Sequence, residues 1–233
     1  MMLSAEALLH VWEQGDRRHA ADRSLQLLAF ALPDHGRDAL ERLDLSQRDW
    51  HLLQLRRQWF GSPLEGYADC PFCGERMEIE IDAAAVAGEC PTDPPVFVSR
   101  HGRRFRFPTV GDLTAVAGIE DRDVASRQLL ERCSLDAPLT DGDFPALRDE
   151  VDEGLAAIAA DRGFFLALSC IECGLPSRHA LDPIEYLWHE LAASATDLLE
   201  EVHQLASAYG WAEHDILSMS ATRRRSYVSR IGS

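Results

Sequence analysis

Six cysteines are the residues in this chain best placed to do chemistry. Four fall in two CxxC pairs, Cys70 with Cys73 and Cys170 with Cys173, whereas Cys90 and Cys133 stand alone. The two-residue spacing lets both thiolates of one tight turn face a single ion, and two such turns supply the four ligands of a tetrahedral zinc site. Gly74 and Gly174 follow the second cysteine of each pair, where the turn calls for a positive φ and leaves backbone N–H groups facing sulfur. Four thiolates fill the coordination sphere, so the expected zinc is structural, with no open position for water. The spacing is unusual: the pairs lie roughly a hundred residues apart, against the ~15–20 of a compact ribbon. One shared site therefore requires the segment from about Glu75 to Ser169 to be an insertion whose ends return to each other, which the logarithmic growth of loop-closure entropy allows. A redox dithiol, a reversible disulfide and knuckles that no longer hold metal are the alternatives. A thioredoxin-like motif would open a helix, whereas each pair here borders a strand-like segment. Cys90 and Cys133 read as small apolar core residues.

The elements that must position these cysteines form an α+β pattern. Residues 1–62 read as a helical region: Leu3, Ala7, Leu8, Val11 and Trp12 recur at helical spacing, then Leu25, Leu27, Leu28 and Ala31. Ser46, with Asp49 three residues on, is a candidate cap for a further helix carrying Trp50, Leu52, Leu53 and Trp59. Residues 63–108 hold the first knuckle, the alternating strand Met77–Ile81, and a hairpin turning at Gly102 between Val96–Val98 and Arg103–Phe107. Residues 109–162 are a helical insertion, opened by Thr109 as a cap with Asp112 at N3, followed by short helices around Leu129–Leu130 and Val151–Ala160. Residues 163–182 bring a strand, Phe164–Leu168, the second knuckle and a returning strand, completing a small β-rich, zinc-ribbon-like module. Residues 183–233 form a C-terminal helical region, whose long helix opens at Asp182-Pro183 and ends at Gly210.

Catalytic constellations are absent from the sequence. His189-Glu190 has Ala193, not histidine, four residues on, so it is no zinc-protease motif. His189 and His203 are about 21 Å apart along one helix and cannot share a metal. His179 follows the second knuckle, where a complete cysteine set leaves it no vacancy. There is no GxSxG, Walker or GxGxxG motif, and the expectation is a protein that is not an enzyme.

Composition adds bounds. The 233 residues carry a net charge of −16, which opposes general nucleic-acid binding. All 23 basic residues are arginine. An alternative nucleic-acid reading would use Arg100, Arg103, Arg104 and Arg106, alternating with phenylalanine on a strand. With no long apolar run and no secretion-type start, the expected location is cytoplasmic, with no membrane partner and no small-molecule substrate.

A set of segments in fixed order carries a family pattern: Trp12-Glu13, Leu27-Leu28-Ala29, Trp59-Phe60-Gly61, Cys70-Pro71-Phe72-Cys73-Gly74-Glu75, Phe107-Pro108-Thr109 and Leu129-Leu130-Glu131-Arg132-Cys133. It closes with Glu200-Glu201-Val202-His203, Tyr209-Gly210-Trp211, Ile216-Leu217, and Arg223-Arg224-Arg225 with Tyr227. In these the chain resembles the T-even phage baseplate hub assembly chaperones, a family found in gene clusters for contractile injection systems. One departure is Cys170-Ile171, where the pattern has Cys-Pro. The resemblance implies a chaperone or adaptor in assembly of a phage tail-like baseplate, with hub or baseplate proteins as partners and no catalytic residue; a permanent baseplate subunit is the alternative. Aromatic and arginine enrichment marks Trp211, Ile216, Leu217, Arg223, Arg224, Arg225 and Tyr227 as the expected partner-binding set.

Overall fold

A computed structural model describes residues 3–136, 138–140 and 142–231. In chain order the elements are α1 (Ala5–Gly15), α2 (Ala20–Ala31), α3 (Arg37–Glu41), α4 (Leu45–Phe60), β1 (Pro63–Asp69), β2 (Arg76–Asp82), α5 (Ala83–Ala87), β3 (Val96–Val98), β4 (Arg104–Arg106), α6 (Val110–Val116), α7 (Arg122–Cys133), α8 (Asp143–Arg162), β5 (Phe164–Ser169), β6 (Pro176–Leu181), α9 (Pro183–Tyr209), α10 (Glu213–Leu217) and α11 (Ala221–Val228). The class is α+β, with helical flanks and small antiparallel sheets. Each sheet is a single hairpin: β1 with β2, β3 with β4, and β5 with β6. Among the described residues, no helix is long and apolar enough to cross a membrane.

The chain divides into two compact units, residues 1–18 with 185–233, and residues 19–184. In the first, Ser4 caps α1 by accepting from the Ala7 N–H at 3.2 Å. The apolar stripe of α1 then packs Leu9, with Ala5, Leu8 and Trp12 around it, on Ala195, Leu198 and Val202 of α9. Leu217 of α10 closes the same cluster.

In the second unit, α2 packs against α4 and α6, burying Leu27, Leu28, Leu52, Leu53 and Leu55. The caps of α4 and α6 are joined to each other. Asp44 and Thr109 form a β-bridge, the Leu45 N–H donates to the Pro108 carbonyl at 3.1 Å, and the Val110 N–H donates to the Leu43 carbonyl at 2.9 Å. Each also carries a capping box, Asp44 with Gln47 and Thr109 with Asp112. The cap of α4 is thus Asp44, two residues before the expected Ser46, whose buried hydroxyl donates to the Asp44 carboxylate at 2.5 Å.

A separate core lies under the middle hairpin. Phe105 of β4 is fully buried among Leu130, Leu139, Leu147 and Val151, with Phe97, Phe144 and Leu155 at its edge. The hairpin at Gly102 therefore shares its core with the helices of the insertion, although the sequence groups it with the first knuckle in residues 63–108. Gly154 of α8 makes this packing possible, since a Cβ there would lie 2.2 Å from the Phe97 ring. Asp112 binds the segment together. It accepts from both terminal nitrogens of Arg106, from Arg132 Nε at 2.9 Å, and from the N–H and hydroxyl of Thr109, each at 2.9 Å. One buried carboxylate so joins β4, α6 and α7.

Candidate metal centre

Both CxxC motifs sit at hairpin tips, β1 leading into Cys70 and β2 leaving after Glu75, β5 leading into Cys170 and β6 leaving after Leu175. The two turns repeat the same backbone pattern. The Cys70 N–H donates to the Glu75 carbonyl at 2.8 Å and the Gly74 N–H to the Cys70 carbonyl at 2.9 Å; the corresponding bonds of the second turn, from Cys170 to Leu175 and from Gly174 to Cys170, measure 3.1 and 2.9 Å. Gly74 and Gly174 take φ of +77° and +70°, a region where a Cβ is disfavoured. Replacing the expected proline with Ile171 leaves the second turn's bonding intact.

Facing each other, the two turns bring four thiols together. The sulfurs of Cys70, Cys73, Cys170 and Cys173 all lie within 4.8 Å of one another. Cys70 Sγ is 3.7 Å from Cys173 Sγ, and Cys73 Sγ is 3.5 Å from Cys170 Sγ. A tetrahedron with metal–sulfur bonds of ~2.3 Å has edges of about 3.8 Å, so these separations suit one ion at the centre. They are far longer than the ~2.05 Å of a disulfide, and all four thiols are free. Cys70 and Cys170 are buried against Met77, Ala68 and Leu168, while Cys73 and Cys173 are exposed. The donor set and geometry fit a soft or borderline metal ion such as zinc or iron, held without an open position.

Electrostatics favour a cation here. The Phe72 N–H, aimed at Cys70, draws that thiol down to about 7. At Cys73 the Glu75 N–H also favours the thiolate, but the neighbouring Cys170 and Cys70 thiols and burial override it and push Cys73 up to about 12. Cys173 is raised in the same way, with the Leu175 N–H opposing burial and the thiol of Cys70. Several thiolates cannot share so small a volume unless positive charge joins them.

Among the described residues, these four cysteines make the one cluster of three or more possible ligands able to close on a metal. Cys133 is fully buried and its thiol is pushed up to about 12 by that burial, and half-buried Cys90 sits at 3.8 Å from the Pro91 carbonyl. His179 bonds Ser177 Oγ at 2.8 Å, and His189 and His203 lie exposed on α9. Of the four arginines expected on a strand, Arg104 and Arg106 lie on β4 and Arg100 and Arg103 in the turn before it; Arg100 pairs with Glu150, Arg103 with Asp143, Arg104 with Asp136 and Arg106 with Asp112, so each guanidinium already faces a carboxylate.

The C-terminal set divides. Ile216 has no exposed surface, Leu217 packs into the α1–α9 cluster, and Arg224 is turned inward onto Glu201 at 2.8 Å and the Met219 carbonyl at 2.7 Å. These three therefore hold the unit together, because helix packing needs apolar anchors and a buried guanidinium needs a carboxylate. Arg223, Arg225, Tyr227 and part of Trp211 remain at the surface. Two contributors escape a reading of the sequence: Met77, which packs beneath the sulfurs, and Arg230, beside Tyr227. Met77 begins the alternating strand and so was visible as inward-facing, though not as a lining of the metal site.

Compared with family models, with curated proteins and with solved structures, the chain gives no match.

Proposed function

We propose that this chain is a non-enzymatic chaperone or adaptor for assembling the baseplate of a phage tail-like contractile particle, stabilised by one structural zinc ion in a zinc-ribbon-like module. The observation that carries the non-catalytic part is the set of four sulfurs within 4.8 Å of one another. Cys70, Cys73, Cys170 and Cys173 would hold the ion, leaving no site for water or substrate. Bound zinc would supply a rigid joint between the β1–β2 and β5–β6 hairpins, fixing the two ends of the insertion against each other.

The baseplate assignment rests on the ordered segments shared with the hub assembly chaperones. Support comes from the way their last members pack: Tyr209, Trp211 and Tyr227 meet ring to ring, and Arg224 pairs with Glu201. Segments scattered over residues 200–227 thus make one module, as a shared docking unit requires.

Deletion of the gene from a producing cell, followed by purification of particles, tests the function. The expected outcome is loss of assembled baseplates, restored by the wild-type gene, with the protein missing from mature particles. Its presence there at fixed stoichiometry would make it a permanent subunit instead, and normal assembly without it would end both readings.

A further inference from the structure

The C-terminal end of the chain carries a charge opposite to that of the rest. Residues 216–233 contain four arginines and no acidic residue, in a protein of net charge −16. Arg224 and Arg225 are both paired with Glu201. Arg223 and Arg230 are not: among the described residues neither guanidinium has a carboxylate partner. Positions 223, 227 and 230 follow an i, i+4, i+7 spacing, so they share one face of α11 and the turn after it. On that face the Arg223 and Arg230 guanidinium carbons lie 5.8 and 5.9 Å from the centroid of the Tyr227 ring.

Around these two cations the surface is shaped. Ser220, Thr222, Arg223, Ser226, Tyr227 and Arg230 line a hollow of about 540 Å³. Arg230 is held over it by a bond from its guanidinium to Ser226 Oγ at 2.7 Å. Behind Tyr227 stand Trp211, 4.9 Å away edge to face, and Tyr209, stacked on Trp211 at 4.6 Å. Rings already packed on one another lose little freedom when a partner covers them, and arginine with aromatic residues is the pairing that dominates interface energetics.

We propose that this hollow docks an acidic peptide segment of a partner protein, its carboxylates on Arg223 and Arg230 and a neighbouring apolar side chain on the Tyr227–Trp211 shelf. This rests on the adaptor reading and names the chemistry of what the adaptor holds. Charge complementarity selects the occupant. Two guanidinium groups without a carboxylate partner, with the hydroxyls of Ser220, Thr222, Ser226 and Tyr227, offer donors to carboxylate oxygens, while the acidic remainder of the chain opposes an extended polyanion such as nucleic acid. The docked segment is therefore short, with its negative charge confined to the length of one helix face.

A random peptide library displayed against the full-length, metal-loaded protein tests this, with the R223A/R230A double variant and R37A, an exposed arginine on α3, as comparisons. The expected result is enrichment of sequences carrying Asp or Glu beside an aromatic or aliphatic residue. The enriched peptides should bind wild type and R37A alike, bind the double variant about tenfold or more weakly, and lose affinity as salt is raised. Circular dichroism and zinc content of the double variant should equal those of wild type, since both side chains are exposed. No enrichment, enriched peptides without acidic residues, equal binding to the double variant, or tighter binding of an oligothymidylate at the same salt would each overturn the proposal. The particle-assembly experiment is independent of this one, so the docking site can fail while the adaptor reading stands.

Discussion

Asp112→Asn is the substitution whose consequences follow most directly from the geometry. The carboxylate is 1% exposed and accepts from Arg106, Arg132 and Thr109. Burial alone would raise its pKa, but the Arg106 guanidinium and the Thr109 donors overcome that and hold it at about 2, below the ordinary 3.8. That difference corresponds to about 2 kcal/mol of folding stability. A depressed pKa stabilises fully above the unfolded value, so the contribution is complete above about pH 5 and is lost as the pH falls through 3.8 toward 2. Asparagine keeps the size but sets an NH2 among guanidinium donors, so the total cost at pH 7 should be about 2–4 kcal/mol. Urea denaturation followed by far-UV circular dichroism, wild type beside D112N, measures it. The gap between the two should be widest at pH 5–7 and narrow from pH 4 to 2.5; thiol protonation, common to both proteins, cancels. A variant within about 0.5 kcal/mol of wild type at pH 7, or a gap that does not narrow in acid, would refute this account of the insertion. Cys73 and Cys170 are 97 residues apart, and closing a flexible loop of that length costs about 4 kcal/mol, which the folded insertion removes from metal binding.

Three further outcomes are expected. Gly154→Ala should destabilise the residue 19–184 unit by about 1–3 kcal/mol in thermal or urea unfolding, despite alanine's better helix propensity, because its Cβ meets the Phe97 ring; an equal or higher stability contradicts that packing. Glu201→Ala strands the buried Arg224 guanidinium and should cost about 2 kcal/mol, with Arg224→Met recovering part of it in the E201A background; no recovery means the pair is not the cause. Zinc affinity, measured by competition with a chromophoric chelator, should fall with acid. Cys73 at about 12 and the raised Cys173 release protons on binding at pH 7, and Cys70, at about 7, joins them below that. Affinity should therefore drop at least about a hundredfold per pH unit, more steeply below pH 7; a pH-independent affinity excludes thiolate ligation.

The cysteine pairs, with glycine after each, were the most legible feature, because knuckle geometry is local and dictates its own residues. Strands β2, β5 and β6 and the hairpin at Gly102 were also readable, from alternation and turn chemistry. β1 was not: Pro63-Leu64-Glu65-Gly66-Tyr67 has a proline and a glycine where strands disfavour them, and pairing with β2 supplies the order its propensity lacks. The start of α4 is ambiguous in the sequence, where both Asp44 and Ser46 are capable caps and Ser46 is the one expected. What selects Asp44 is the bridge to Thr109, sixty-five positions along the chain and invisible to local pattern. For the same reason Ile216 and Arg224 read as surface contacts: an amphipathic segment does not say whether its apolar side meets a partner or its own long helix.

One measurement bears most directly on the account: metal analysis of the purified full-length chain combined with X-ray absorption at the zinc edge. The expected result is one zinc per chain, surrounded by four sulfurs at about 2.3 Å with no nitrogen or oxygen neighbour. A mixed shell, an iron-type visible absorption, or mass-spectrometric evidence for disulfides among Cys70, Cys73, Cys170 and Cys173 in the native protein would contradict it.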